Sequence, residues 1–296
     1  MSLKAIMILL LSLVFATAAG TLFCNEEAAQ STTGPTPPPG VGEKVKGTAP
    51  LTRADKLMTG VPGYAWRHGC GPTAVGMVIG YHDGHGFPNL IPGDAATQTA
   101  AVDQAIASED GPSNPQHYED YCLPMDNSGS NPSPLPDKSA APSGDEHISN
   151  SIADFMRTSW SSAGNYYGWS WSSDIGPSFA AYNGALGTGY SVAYVNHYFS
   201  SPAMWDVLNT EINNNRPMVF LVDTDGDGNT DHFVTVIGYR DSGGYQEYAC
   251  LDTWAPADVV RWERFRPMAS GSPWGIWGGT SFSIAVSSSV REWDLY

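Results

Sequence analysis

The chain has 296 residues, 42% of them hydrophobic and 15% charged, and 30 acidic against 14 basic side chains give a formal net charge of −16. A surface this acidic repels phosphate backbones and anionic lipid, which excludes nucleic-acid and polyanion binding. The apolar content suffices for one large core or two small ones, and 32 glycines with 22 prolines imply many turns.

The chain opens with MSLKAIMILLLSLVFATAAG, where one lysine precedes an apolar run from Ala5 to Phe15, followed by small residues at 16–19. That order is a secretory signal peptide over 1–19, so the expected location is secreted or extracytoplasmic. The run is shorter than the roughly 20 apolar residues a bilayer span needs, so no stable membrane insertion is expected after cleavage. Cys24 follows the bulky Phe23, unlike a lipid-modified cysteine. Residues 20–53, containing STTGPTPPPGVGE, read as a Pro/Thr/Gly-rich linker with too little apolar surface to offset its ordering entropy. One folded domain is expected over 54–296, with a flexible surface loop of similar composition at about 124–146.

Within that domain TAVGMVIGY (73–81) carries apolar residues on every side, which predicts a helix buried all round. Pro72 suits its first turn, where a missing N–H is harmless. Further helices are expected at 100–109, 151–158 and 202–215. The aromatics of YYGWSWSS (166–173) read as core packing, with a cleft wall as the alternative. The pattern then changes. PMVFLVD (217–223), HFVTVIGYR (232–240), YQEYACLDTW (245–254) and TSFSIAV (280–286) are short β-branched or aromatic runs between Gly and Asp turns. They predict consecutive antiparallel strands, and helices followed by strands give an α+β class.

The stretch WRHGCGPTAVGMVIGYHD sets Cys70 between two glycines at the head of the first helix. A thiol attacks a carbonyl as thiolate, so a catalytic cysteine needs a positive field and a nearby base. The helix N-terminus supplies partial positive charge and unpaired N–H groups that can also hold an oxyanion. His232 opens one strand and Asp252 ends the next. If the strands pair through the turn at 241–244, the two lie side by side at one sheet edge, as a base and its orienting acid.

GCGPTAVGMVIGYHD, DHFVTVIGYRD and YACLDTW together resemble the papain-like superfamily, and within it the secreted bacterial peptidases similar to the bacteriocin-processing, double-glycine-leader peptidases. The resemblance implies a central buried helix packed on an antiparallel β-sheet and an exported cysteine peptidase acting on peptide or protein substrates. It implies Cys70 as nucleophile, His232 as general base and then acid, and Asp252 as the group orienting His232. No cofactor is implied for the chemistry. A non-hydrolytic acyl transferase or amidase on the same fold, or a calcium-stabilised extracellular binding protein, are the alternatives. The family's oxyanion glutamine stands about six residues before the cysteine. This chain has Tyr64 there, which leaves the second donor to Tyr64, Trp66 or His68.

DTDGDGNTDH, beginning at Asp223, resembles the front half of an EF-hand calcium loop, with Asp223, Asp225, Asp227 and Asp231 as oxygen ligands around Gly228. Val234 stands where a bidentate glutamate would. Structural calcium is therefore expected on these four carboxylates, with a metal-free acidic turn as the alternative. HDGH (82–85) has too few ligands for a transition metal, and His117 and His197 read as packing residues. Export would permit a disulfide between Cys122 and Cys250.

Overall fold

The computed structural model describes residues 30–31, 34–41, 55–108, 149–158, 168–199, 203–241, 244–255 and 259–287. The expected signal segment, the loop at 124–146, Cys24, Cys122 and His117 lie outside them. Helix α1 (Cys70–Gly84) extends three residues beyond the periodic stretch at each end, and every residue from Cys70 to His82 is buried. It has no solvent face to keep polar, which explains its all-round hydrophobicity. Close packing depends on glycine at three points, 71, 76 and 80. A Cβ on Gly71 would come within 2.9 Å of Met156 Sδ and 3.1 Å of Ser170, and one on Gly80 within 2.3 Å of Tyr64 Oη.

Two short helices lie against α1. In α2 (Ala100–Ile106) the Thr99 side chain accepts the Val102 N–H, and α3 (Ile152–Phe155) begins with a Ser151–Asp154 capping box. Both end earlier than their sequence windows. Helix α4 (Ser172–Leu186) was not expected, because Gly176 and Pro177 interrupt its helical signal. Tertiary packing overrides that: Ile175, Phe179 and Tyr182 are buried, and a Cβ on Gly176 would strike the Tyr194 ring at 2.1 Å. Helix α5 (Met204–Asn213) buries Met204, Leu208 and Ile212, one stripe at helical spacing.

The strands are β1 (Gln30–Ser31), β2 (Lys56–Leu57), β3 (Ser170–Trp171), β4 (Tyr190–Tyr198), β5 (Met218–Asp223), β6 (His232–Asp241), β7 (Gln246–Leu251), β8 (Arg261–Arg264) and β9 (Gly275–Val286). Seven form one antiparallel sheet in the order β4-β9-β5-β6-β7-β8, with β2 on the far end of β6. β5 is buried throughout and β6 over its first eight residues, so both lose the alternating pattern of a half-exposed strand. Helix α1 lies on β6 and β5, and Thr235 Oγ1 donates to the Ala74 carbonyl at 2.9 Å, which pins the head of the helix to the sheet. A helix on an antiparallel sheet is what the sequence implied.

The stretch expected to be a plain linker is partly built into the domain. β1 pairs with β3, Trp254 Nε1 donates to the Gly34 carbonyl at 3.0 Å, and Val41 joins the buried core. Residues 34–41 bend at 35–36 and turn at 39–40, where the Val41 N–H donates to the Pro38 carbonyl at 3.1 Å. Pro35, Pro37, Pro38 and Pro39 fix φ along this stretch, so less entropy is lost when it docks. Among the described residues no helix is long and apolar enough to cross a membrane.

Candidate active site

The approach to α1 is held by one side chain. Thr73 Oγ1 donates to the Gly69 carbonyl at 2.6 Å and accepts the Arg67 N–H at 3.0 Å, closing the loop over the first helical turn. Arg67 Nε in turn donates to the carbonyls of Asp103 and Ala107 at the C-terminal end of α2. His68 (φ 49°) and Gly69 (φ 142°) adopt positive φ to turn the chain into the helix. Cys70 follows as the first helical residue, fully buried, and carries a free thiol.

The Phe233 N–H donates to Cys70 Sγ at 3.4 Å, which sets the sulfur against the strand at the residue next to His232. His232 is fully buried, and its Nε2 bonds the main-chain carbonyl of Asp252 at 2.7 Å, with Thr253 Oγ1 at 3.4 Å. A carbonyl only accepts, so Nε2 carries the proton and Nδ1 is the basic nitrogen. The Trp254 indole stacks on the imidazole at 3.6 Å between centroids and 17° between planes. Burial pushes His232 down to about 4; the carbonyl bond and the charge of Asp252 oppose that shift, and Arg261 adds to it. The imidazole is therefore neutral at physiological pH.

Asp252 holds His232 differently from the expected acid. Its carboxylate accepts the N–H groups of Trp254 (3.1 Å) and Ala255 (2.8 Å) on Oδ1 and Arg261 Nε (2.9 Å) on Oδ2. Its main-chain oxygen, not its side chain, meets the imidazole. The register explains this. Thr235 faces Leu251, and the same register continued brings His232 level with Trp254, two pairs beyond Asp252. A left-handed residue at Thr253 (φ 63°) turns the chain at that point.

Arg261 is the residue that sequence reasoning missed. It is 4% exposed, reaches Glu263 Oε1 at 3.3 Å as well as Asp252, and lies over the Trp274 ring at 4.2 Å. The only advance signal was RWER, alternating charges inside a strand, which is unusual unless the charges pair in the interior.

Of the three side chains named above in place of the glutamine donor, Tyr64 is turned away, its hydroxyl on the Ala95 carbonyl and against Gly80. Gln98 pairs instead with the Ala65 backbone and Asp103. Trp66 and His68 remain at the helix head, with ring centroids 6.2 Å apart. The Trp66 N–H donates to the Thr253 carbonyl at 2.7 Å, which ties this loop to the histidine side of the site. Burial pushes His68 down to about 3, the Arg67 charge adding to the effect.

Asp223, Asp225 and Asp227 each present a carboxylate oxygen within 4.8 Å of the others. Asp231 stands apart, its carboxylate engaged by the backbone and hydroxyl of Thr224. Val234 is buried within β6. Cys122, with which export would permit a disulfide, lies outside the described residues, and Cys250 is a buried free thiol inside β7. Its strand neighbours, Val236 and Arg261, fill the space on either side. In the HDGH turn, His82 is buried among Phe87 and Phe179 while His85 Nδ1 bonds the Tyr81 carbonyl at 2.7 Å.

Residues 58–270 match the model of the Peptidase_C39 like family, and the chain belongs to that family. The match takes in Cys70, His232 and Asp252 alike. No protein of curated function matches the chain.

Proposed function

We propose that this is an exported cysteine peptidase that hydrolyses peptide bonds through Cys70 and His232. One observation carries the reading: the Cys70 sulfur lies against the Phe233 N–H while the neighbouring His232 keeps its proton on Nε2, bonded to the Asp252 carbonyl. Nδ1 takes the thiol proton, and the thiolate attacks the scissile carbonyl carbon. The Cys70 main-chain N–H, at the first helical position, stabilises the oxyanion together with a donor from the Trp66–His68 loop. Collapse of the tetrahedral intermediate breaks the C–N bond, and the imidazolium returns its proton to the departing amine. Water, deprotonated by His232, then hydrolyses the thioester and regenerates the thiol. Asp252 and Thr253 act as positioning residues for the imidazole.

Digestion of a peptide library by the purified chain tests this directly. New termini that are absent with Cys70→Ala support the peptidase. Products in which an added amine replaces water favour the acyl transferase, and no Cys70-dependent product favours the binding protein. For export, terminal sequencing of the protein recovered from the medium of a secreting host should begin near residue 20, and recovery only inside cells with Met1 intact refutes it.

Calcium is proposed on Asp223, Asp225 and Asp227. The supporting fit is three convergent carboxylates on a loop whose N–H groups at Gly226, Asp227 and Gly228 already hold Asp223 and Asp225 in place. Burial, with the neighbouring acids, pushes Asp223 upward, and a divalent ion would relieve that repulsion. The ion's place is structural, bracing the turn between β5 and β6. A Tm that rises with calcium in the wild type but not in Asp225→Asn supports it, and an unresponsive wild type sinks it.

A further inference from the structure

We propose that Arg266, with the cavity it lines, is a carboxylate-recognising subsite for the segment of substrate that departs with the new amine. This rests on the peptidase reading above and adds the chemical class of substrate that the site prefers. The cavity holds about 480 Å3, and its walls include Arg261, Arg266, Pro273 and Trp274, with Asp225 and Glu263 as the acidic groups on it.

The sheet places this cavity on the leaving side of the scissile bond. Thr235 faces α1, where it bonds the Ala74 carbonyl, so Val236, Val234 and His232 point to the opposite face of β6. Val236 pairs with Cys250 and Cys250 with Arg261, which puts Arg261 on the same face as His232. The thiol therefore comes from the helix side. The departing amine takes its proton from His232 and starts its segment toward the face that carries the cavity. Trp254 stacks on the imidazole at 3.6 Å and meets Trp274 at 6.4 Å between centroids. An extended chain rises about 3.3–3.6 Å per residue, so the second or third residue after the scissile bond reaches the Trp274 wall.

The charge pattern supplies the chemistry. With 30 acidic side chains in the sequence, an arginine readily finds a carboxylate. Arg67, Arg157, Arg216, Arg240 and Arg261 each pair with one, and Arg264 lies over the Tyr245 ring. Arg266 has no acidic partner among the described residues. Its Nη2 donates to the Pro273 carbonyl at 2.7 Å, which fixes the guanidinium at the wall, and its Nε is buried without an acceptor. The two acids on the cavity are engaged elsewhere. Glu263 Oε1 accepts Arg261 Nη1 at 3.3 Å, and Asp225 Oδ1 accepts the Asp227 N–H at 3.0 Å. An uncompensated guanidinium held in one orientation selects a carboxylate, either the substrate's own C-terminus or an acidic side chain. The net charge of −16 disfavours such groups over the rest of the surface, so discrimination falls on this arginine.

Binding is read on the full chain with Cys70→Ala, so that no peptide is consumed. The probes are trialanine as the free acid, trialanine amide and Ala-Ala-Glu amide, titrated by saturation-transfer NMR. At least one acid should bind about tenfold more tightly than trialanine amide, as a charge-assisted hydrogen bond requires. Arg266→Gln should abolish that preference and Arg266→Lys restore part of it. Arg266→Met, which keeps the length of the stem, is the second removal variant, and thermal unfolding identifies the folded samples. Preference for the free acid alone assigns the chain terminus; preference that extends to Ala-Ala-Glu amide assigns the acidic side chain. Equal affinity for acids and amide in the parent, or a preference that persists in a folded removal variant, overturns the proposal. Restoring Cys70 separates the two readings, with the peptide library made both as free acids and as amides. An acid-to-amide ratio of cleavage rates that falls at least tenfold on removing Arg266 supports both. Acid-selective binding through Arg266 without Cys70-dependent cleavage retains the carboxylate site and rejects the peptidase. Cleavage whose ratio is indifferent to Arg266 retains the peptidase and rejects the subsite.

Discussion

Asp252→Asn distinguishes two ways of holding a catalytic imidazole. Where a carboxylate itself fixes the tautomer, the amide substitution lowers the rate about 10⁴-fold. Here the main-chain oxygen of Asp252 sits 2.7 Å from His232 Nε2, and that atom survives the substitution. What is lost is a carboxylate charge already neutralised by Arg261 Nε at 2.9 Å. A partly compensated charge of this kind contributes about 1–3 kcal/mol to imidazolium stability, so the rate should fall about 10- to 10²-fold. Stability falls as well, and by more. Arg261 loses one acidic partner and keeps Glu263, and breaking one side of a buried pair costs about 3–5 kcal/mol. The rate of Cys70 modification by a peptidyl electrophile and urea unfolding of the same samples give the two numbers. A loss near 10⁴ in folded protein, or unchanged stability, would refute the main-chain account.

Gly80→Ala should destabilise the fold. A Cβ there would sit 2.3 Å from Tyr64 Oη and 2.9 Å from Pro62. Overpacking of about 1–3 kcal/mol outweighs a helix-propensity gain of at most about 1 kcal/mol, and a stabilised variant in urea unfolding would contradict the packing argument. His82 is 5% exposed, and burial, then the charges of His85 and Arg216, push it down to about 4. Its folded value lies below its unfolded one, so its stabilising share is complete above about pH 6.5 and is lost as the pH falls toward 4. His82→Phe should remove that loss, narrowing the stability difference between pH 7.5 and 5 by on the order of 2 kcal/mol. Equal acid sensitivity in wild type and variant would show that His82 is not the group charging.

The parts legible in the sequence were those set by local chemistry. Cys70 stands at a helix head because a Gly-flanked turn and Pro72 begin a helix there, and the β6–β7 hairpin follows from turn residues between two β-branched runs. Helix α4 was hidden because Gly176 and Pro177 argue against a helix locally, while burial of Phe179 and Tyr182 decides the matter globally. β4 escaped notice for the reverse reason: as an edge strand it leaves Val195 and Tyr194 exposed and shows no buried face. The grip of Asp252 on His232 could not be read from residue types, since any residue offers a carbonyl. Nor could the docking of residues 30–31 and 34–41, whose composition resembles a linker and whose place comes from the partners they meet.

The proposed chemistry requires that thiol and imidazole work as a pair. Intact-mass and peptide mapping after exposure to a peptidyl chloromethyl ketone measure this with least interpretation. The account predicts one adduct, on Cys70, and no adduct over the same interval in His232→Ala. Equal modification of both proteins, or an adduct on Cys250 instead, would contradict it.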